Sequence, residues 1–447
     1  MPDHPHRTCP RRIGICHIMA AAITAATLLL TPTTTAAAAA DPTPSSTSST
    51  NTGQNSDQGP STWVYDPTTH QMGLWAWSWT TWRWELTHVA TSVLHVAPTG
   101  SDAATGAPDA PLATIQAALD RAQPGDAISL APGTYHGPIH TVRPGTPTNP
   151  IRIIGPENGF DPAGRHKAVL YGTGRILNID HSYIELHGFT IDGQEKLTNQ
   201  NVPTDITGIT DFKTRNQADI TDGRLIYVGS ADTSRDITGI TVNDMYLTGA
   251  GGECVRFRNN TSDSAVTNST IRLCGMFAKG DGTDRSRWHN GEGIYLGTSP
   301  KSTTQPMAGN DTTNTITITG NDIQTLGTEC VNVKEAAHDI TVEHNTCRGN
   351  TESASDNGSV IEIRGYNTTV RDNWIGDSAG ALVKIQTDSA DYDKGGNTVT
   401  GNTLGPAAGP ALRMKSTATQ GAMCGNTAAG GTQSTASSTD TLLAACR

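Results

Sequence analysis

Two short phrases of apolar and polar positions alternate through the second half of the chain. The first is a strand in which two apolar positions are separated by one polar position. It occurs as ECVRFR at 253–258, EGIYLG at 292–297, ECVNVK at 329–334, SVIEIR at 359–364, ALVKIQ at 381–386 and ALRMK at 411–415. The second is a strand followed by asparagine and a small or apolar residue, in AVTNSTI, ITITGNDI, ITVEHNTC, TVRDNWI, TVTGNTL and MCGNTA. Its asparagines, Asn268, Asn321, Asn345, Asn373, Asn402 and Asn426, are 24 to 29 residues apart except for one step of 53. Alternation with period two predicts strands. A repeat in the twenties made of short strands predicts a solenoid, in which each turn buries its apolar positions on the next. Two polar insertions, around 279–290 and 299–314, lengthen the one long step. Residues 177–188 and 226–242 fit as earlier, less regular turns. Asparagines repeated in this way would stack and bond their amides from turn to turn, which gives them a structural role.

Upstream, Leu94 to Val96 and Ala127 to Leu130 read as strands. Residues 111–122 read as a helix with Ile115, Ala118, Leu119 and Ala122 on one face, a cap on something larger. The stretch HVAPTGSDAATGAPDAPLATIQAALDRAQPGDAISLAPGTYHG resembles the opening of the exported parallel β-helix proteins of the pectate-lyase-like superfamily, where it closes the N-terminal end of the coil. The expected fold is therefore all-β: a right-handed, single-stranded parallel β-helix over 91–447 with a short N-terminal capping helix. Residues 61–90 form a separate tryptophan-rich segment with Trp63, Trp75, Trp77, Trp79, Trp82 and Trp84. Trp75, Trp77 and Trp79 alternate as on one face of a strand. Buried, that row packs the segment against the main body, the preferred reading; exposed, it would stack on sugar rings.

Composition adds compartment and partner. With Lys plus Arg at 31 against Asp plus Glu at 42, the net charge is −11, which argues against a protein that coats nucleic acid. Arg7, Arg11 and Arg12 precede an apolar stretch from Ile13 to Leu30 and a small-residue tract ending at Ala40, so 1–40 reads as a secretory signal, with a retained anchor as the alternative. Residues 41–60 are Ser, Thr, Asn, Gln and Pro with little to bury, a linker. The expectation is a secreted, extracellular monomer with no stable membrane insertion after cleavage. Six cysteines follow the signal, an even number that favours disulfides. Cys254 and Cys330 share a column two turns apart, too far for one bond. The expected pairs lie within turns: Cys254 with Cys274, Cys330 with Cys347, and Cys424 with Cys446.

Stacking the first phrase in register gives two outward columns. One runs Arg256, Tyr295, Asn332, Glu362, Lys384, Arg413, and the next Arg258, Gly297, Lys334, Arg364, Gln386, Lys415. The seven cations among them suit an extended anionic partner such as an acidic polysaccharide; the alternative is edge charge that discourages aggregation. Glu253, Glu292 and Glu329 open successive turns, so three carboxylates line up at about 5 Å spacing and repel. Arg258 and Lys334, protonation, or a bound Ca²⁺ with Glu292 and Glu329 among its ligands would offset them.

ECVNVKE, HNTC and SVIEIRGYNTTVRDN, preceded by HNGEGIYLG, are similar to the signature of the polysaccharide lyases of the alginate lyase and chondroitinase B family, over about 120 residues around 290–373. The resemblance implies Lys334 as base, Arg364 assisting the leaving oxygen, and Glu329 near a calcium site. At Gly327 that family would offer a second acidic ligand. The implied activity is β-elimination on a uronate-containing polysaccharide, with Arg256, Arg258, Tyr295, Asn332, Glu362 and Lys384 as substrate contacts. It needs a cation over the uronate carboxylate, a base near C5 and a proton donor toward O4. Lys334 serves as base only if neutral, and the cations around it would lower its pKa. A glycoside hydrolase needs two carboxyl groups about the bond; Glu362 is the outward acid of the central columns, and Asp281, Asp284 and Glu292 lie on or beside an insertion. A solenoid that only binds glycans is the third reading.

Overall fold

The computed structural model describes residues 58–447 except 158–159, 162–163, 198–201, 204–205, 231, 233–234, 278–290, 350–357, 430–441 and 447. The expected signal, most of the linker, and the first insertion with Asp281 and Asp284 lie outside the described residues. No described helix is long and apolar enough to cross a membrane.

Short strands repeat in threes and stack into three parallel sheets of 9, 11 and 10 strands, a right-handed parallel β-helix. One turn shows the rule: Val255–Phe257 joins the first sheet, Ser264–Thr267 the second and Thr270–Arg272 the third. Alternation points Val255, Ile294, Val331, Ile361, Val383 and Leu412 inward in one register-locked column. All six are buried, and each such side chain contributes about 1.5–3 kcal/mol by leaving water. Helix α1 (Ile115–Arg121) closes the N-terminal end, with Thr114 accepting a hydrogen bond from the Ala117 N–H as its cap and Ile115, Ala118 and Leu119 in the core. Helix α2 (Ile206–Asn216) was not foreseen. Phe212 from it packs on Phe277, with ring centroids 6.4 Å apart, in a satellite core with Leu197, Met276 and Leu326.

The tryptophan-rich segment folds as an antiparallel sheet of β1 (Gln58–Asp66), β2 (Gln71–Ser78) and β3 (Arg83–Val89). The linker expected over 41–60 therefore ends in β1. The inner face of the sheet puts Trp63, Met72 and Leu74 against Ala127, Ile154 and Val93 of the solenoid, and the Arg152 guanidinium lies 4.8 Å from the Trp63 ring centre. The expected covering of the row does not hold, since Trp75 and Trp79 are exposed, as is Trp82; the tryptophan that packs on the solenoid is Trp63, outside that row.

The asparagine ladder forms with one change. The Asn345 side chain accepts from the Asn321 N–H, and its amide donates to Ile318 O, Glu343 O and Asn373 Oδ1. The same pattern runs on through Asn373, Asn402 and Asn426. Asn268 is not a rung. The rung in its turn is Ser269, whose N–H donates to Asn321 Oδ1 at 2.9 Å, while Asn268 takes φ +50 at the preceding corner. Asn345→Ala should cost about 2–4 kcal/mol, since buried backbone groups on both neighbouring turns lose partners. Asn268→Gly should cost almost nothing, because glycine accepts that backbone. Thermal melting of the two variants checks the assignment.

Cys254–Cys274 and Cys424–Cys446 are bonded, with Cα atoms 5.4 and 5.1 Å apart. The expected Cys330–Cys347 bond is absent: both are buried free thiols. Cys347 occupies the inward position held by Ile271, Ile323 and Ile375 in other turns, rather than the corner position of Cys274. The Cys330 thiol donates to Ile323 O at 3.5 Å, and burial followed by its contact with Cys347 pushes its pKa well up, leaving an unreactive packing group.

Candidate functional site

The two outward columns read from the sequence are those of the first sheet. Cross-strand pairs run Arg256 to Tyr295, Asn332, Glu362, Lys384 and Arg413. The column also extends backward to Tyr227 and Asn178. The open basic face is not found. Arg256, Arg258, Tyr295, Asn332, Lys334, Glu362, Lys384 and Gln386 are buried, and Lys415 at the C-terminal end is exposed. The columns fold onto one another, and the insertion at 299–314 reaches across the following turns. Lys301 pairs with Asp388 at 3.1 Å and the Tyr392 hydroxyl donates to Gly309 O at 3.1 Å.

Tyr295 is the centre of one cluster. Arg256, Arg258 and Lys334 place their charges 4.6, 5.1 and 4.8 Å from its ring centre. Gly297, at φ +83 between Arg258 and Lys334 in the second column, leaves the room: a Cβ there would stand 3.2 Å from that of Ala337. Arg256 also bonds Glu253 at 2.6 Å. Arg258 differs. Among the described residues its Nε and Nη1 are buried without a hydrogen-bond acceptor, as is Nε of Arg256, and charged donors in that state are costly unless an anion meets them.

Glu362 is the centre of a second cluster. It accepts from Arg364 Nε at 2.8 Å, Lys384 Nζ at 3.1 Å, Gln386 Nε2 at 2.7 Å and Asn332 Nδ2 at 3.1 Å. Burial alone would raise its pKa, but Arg364, Lys384 and Lys334 outweigh burial and hold it down at about 2. Arg364 also reaches Asp388 at 2.5 Å and Glu335 at 3.4 Å, three carboxylates in all, so its guanidinium is fixed.

The three stacked glutamates are present: the Cys254 N–H donates to Glu292 O and the Gly293 N–H to Glu329 O. Glu253 is ion-paired with Arg224 and Arg256 rather than with Arg258. Burial and the adjacent Glu253 push Glu292 up to about 7, against the pull of Lys334. Glu329 lies within hydrogen-bond reach of Glu362, a contact that adds to the pull of the cations on the Glu362 carboxyl. Among the described residues these carboxylates do not gather into a ligand set for a dication. Two arginines hold Glu253, and no group of three His, Cys, Asp or Glu side chains converges as ligands among the described residues.

Lys334 departs from the neutral amine expected of it. Burial works against its charge, but Tyr295, Glu292 and Glu362 outweigh that, and its pKa is raised. Sequence reasoning missed Arg224, Glu335 and Asp388. Arg224 stands one turn before Glu253 in GRLIYV, a turn too irregular to register by eye, and Glu335 directly follows Lys334.

Residues 98–350 match the family described as "Protein of unknown function (DUF1565)". The chain belongs to this family. No curated protein matches. Among solved structures this DUF1565 member is similar to an alginate lyase from Paenibacillus sp. str. FPU-7, at 20% identity and TM-score 0.55 over 77% of this chain and 97% of that one. It is also similar to the pectate lyase Pel9A, at 14% identity and TM-score 0.50 over 80% and 82%. These likenesses establish that the DUF1565 chain has the β-helix fold on which those lyases are built.

Proposed function

We propose that the protein is a secreted lyase that cleaves a uronate-containing polysaccharide by β-elimination. The observation that carries the reading is the unmatched guanidinium of buried Arg258 beside Tyr295 and Lys334. A uronate carboxylate supplies the acceptors it lacks, and neutralising that carboxylate is what acidifies the C5 proton. Tyr295 then has the role of base and Lys334 that of acid, which changes the assignment implied by family resemblance. The mechanism requires the form in which Tyr295 has given up its proton while Lys334 keeps its own. The phenolate takes the proton from C5, the C5–H electrons form the C4–C5 double bond, the C4–O4 bond breaks, and Lys334 gives its proton to O4. The proton on Tyr295 then returns to Lys334 and restores that form. Arg364, tied to three carboxylates, is a positioning residue that holds Glu362 next to Lys334. No step requires Ca²⁺.

The likeness in fold to an alginate lyase and a pectate lyase supports the reaction class, and the cations favour an acidic polysaccharide. Incubation with alginate, pectate and glycosaminoglycans, followed by ultraviolet absorbance of unsaturated products, tests it. One observation favours a hydrolase: Glu292 and Glu362 both approach the Asn332 amide, at 3.4 and 3.1 Å, with pKa values pushed apart to about 7 and about 2. New reducing ends without unsaturation would select that reading, and retention without cleavage would select binding alone.

A further inference from the structure

The N-terminal sheet has a second aromatic face that the cluster around Tyr295 does not use. Trp77 pairs across strands with Trp84, and Trp75 with Leu86, on the side away from the solenoid. The indoles run in edge-to-face contact, Trp84 to Trp77 to Trp79 to Trp82, with ring centres 5.9, 6.0 and 5.7 Å apart. Trp75, Trp79 and Trp82 are 36%, 46% and 69% exposed. Trp82 also stands at φ +54, a backbone region unfavourable for a bulky side chain.

Size narrows what covers this face. At about 250 Å² per indole side chain, the three exposed rings present roughly 400 Å². A stable contact between two copies takes about 800 Å² from each, so the patch is too small for a dimer interface and of a size for a few sugar rings. Charge narrows it further. The charged residues on β3 beside the rings, Arg83 and Glu85, lie 3.8 Å apart and offset each other, and Thr81 donates to Glu85. The patch therefore lacks the cations that an anionic chain or an acidic lipid surface would need, and the protein as a whole carries −11. An indole face carries negative quadrupole charge and attracts the weakly positive C–H groups on the flat side of a pyranose.

We infer that this face is a docking platform for a neutral polysaccharide of flat pyranose units, separate from the cluster around Arg258 and Tyr295. Because the opposite face of the sheet is packed on the solenoid through Trp63, Met72 and Leu74, the platform is anchored to the solenoid. The inference does not depend on the lyase reading.

The test is sedimentation of the full chain with microcrystalline cellulose and with insoluble xylan, with soluble alginate as the anionic control in affinity gels. The variants are Trp79→Ala and Trp82→Gly, singly and together. Glycine accepts φ +54, so Trp82→Gly removes a ring without endangering the fold, and the melting temperature verifies this. The expected result is that at least one neutral polysaccharide retains the wild type, that the double variant binds at least tenfold more weakly, and that Tyr295→Phe binds like the wild type. The inference is overturned if neither polysaccharide retains the wild type, or if the folded Trp variants bind as well as it does. It is also overturned if the same variants abolish a dimer in sedimentation velocity, or abolish binding to phosphatidylcholine vesicles in place of glycan binding.

Discussion

Tyr295→Phe should lower turnover on the cleaved uronate polymer by about a thousandfold, roughly 4 kcal/mol of barrier, with little change in KM. The substitution removes one oxygen that has no hydrogen bond among the described residues, and it leaves the ring on which Arg256, Arg258 and Lys334 pack. The melting temperature should therefore stay close to that of the wild type. Lys334→Ala should remove activity to a similar extent but also lower the melting temperature. Lys334 is buried and offsets Glu292 and Glu362, so the variant leaves carboxylates without their cation. Arg258→Ala should act mainly on KM, and Lys415→Ala, exposed at the end of the column, on neither constant by more than about twofold. Kinetics of the four variants on one polymer check the assignment. If Tyr295→Phe keeps more than about a tenth of wild-type turnover, the phenolate is not the base.

Stability should fall as pH rises from about 4.5 to 7, and Glu292 is the cause. Its pKa in the folded chain, about 7, lies above the ordinary 4.5, so the native state keeps a proton that the unfolded chain has already released. The contribution is complete below the ordinary value and is lost as pH passes through the folded one, about 3 kcal/mol in all. Glu292→Gln, which stays neutral, should flatten this decline and melt higher than the wild type at pH 8. Glu362 has the opposite sign. Held at about 2, it contributes stability above its ordinary value and loses it as pH falls toward 2. Melting of wild type and Glu292→Gln between pH 4 and 9 measures the difference. Parallel curves would remove Glu292 as the titrating group.

The fold was legible in the sequence because a solenoid converts periodicity directly into neighbours. Once the phrases were aligned, the column from Arg256 to Arg413 followed, and the cross-strand pairs are those of the structure. Asn268 shows the grain of that method. A one-residue error at a corner exchanges rung and bend, and Asn268 and Ser269 are both polar enough to fit either. For Cys330 and Cys347 the expectation was right about neighbourhood and wrong about the bond, since the two buried thiols meet but stay free. The state of Lys334 was not legible at all. It depends on how far the Glu292 and Glu362 side chains reach from adjacent turns and on how much water the folded columns exclude. The antiparallel tryptophan sheet was missed because Trp75, Trp77 and Trp79 show one strand, whereas the pairing partners in β1 and β3 carry no comparable pattern.

The end of the ladder bears on whether the molecule stays single. A parallel sheet left open at its last turn offers unpaired backbone groups to the first turn of another copy, and solenoids that stack in that way grow into fibres. Here the last rung meets the chain itself. The Asn426 N–H and side-chain amide both donate to Leu442 O, the Gly425 N–H donates to Ala444 O, and Cys424–Cys446 fastens the returning segment. The bond that ties down the C-terminus therefore acts as a stopper against polymer growth. Losing it would be felt first as aggregation, with the distant cluster around Tyr295 still intact.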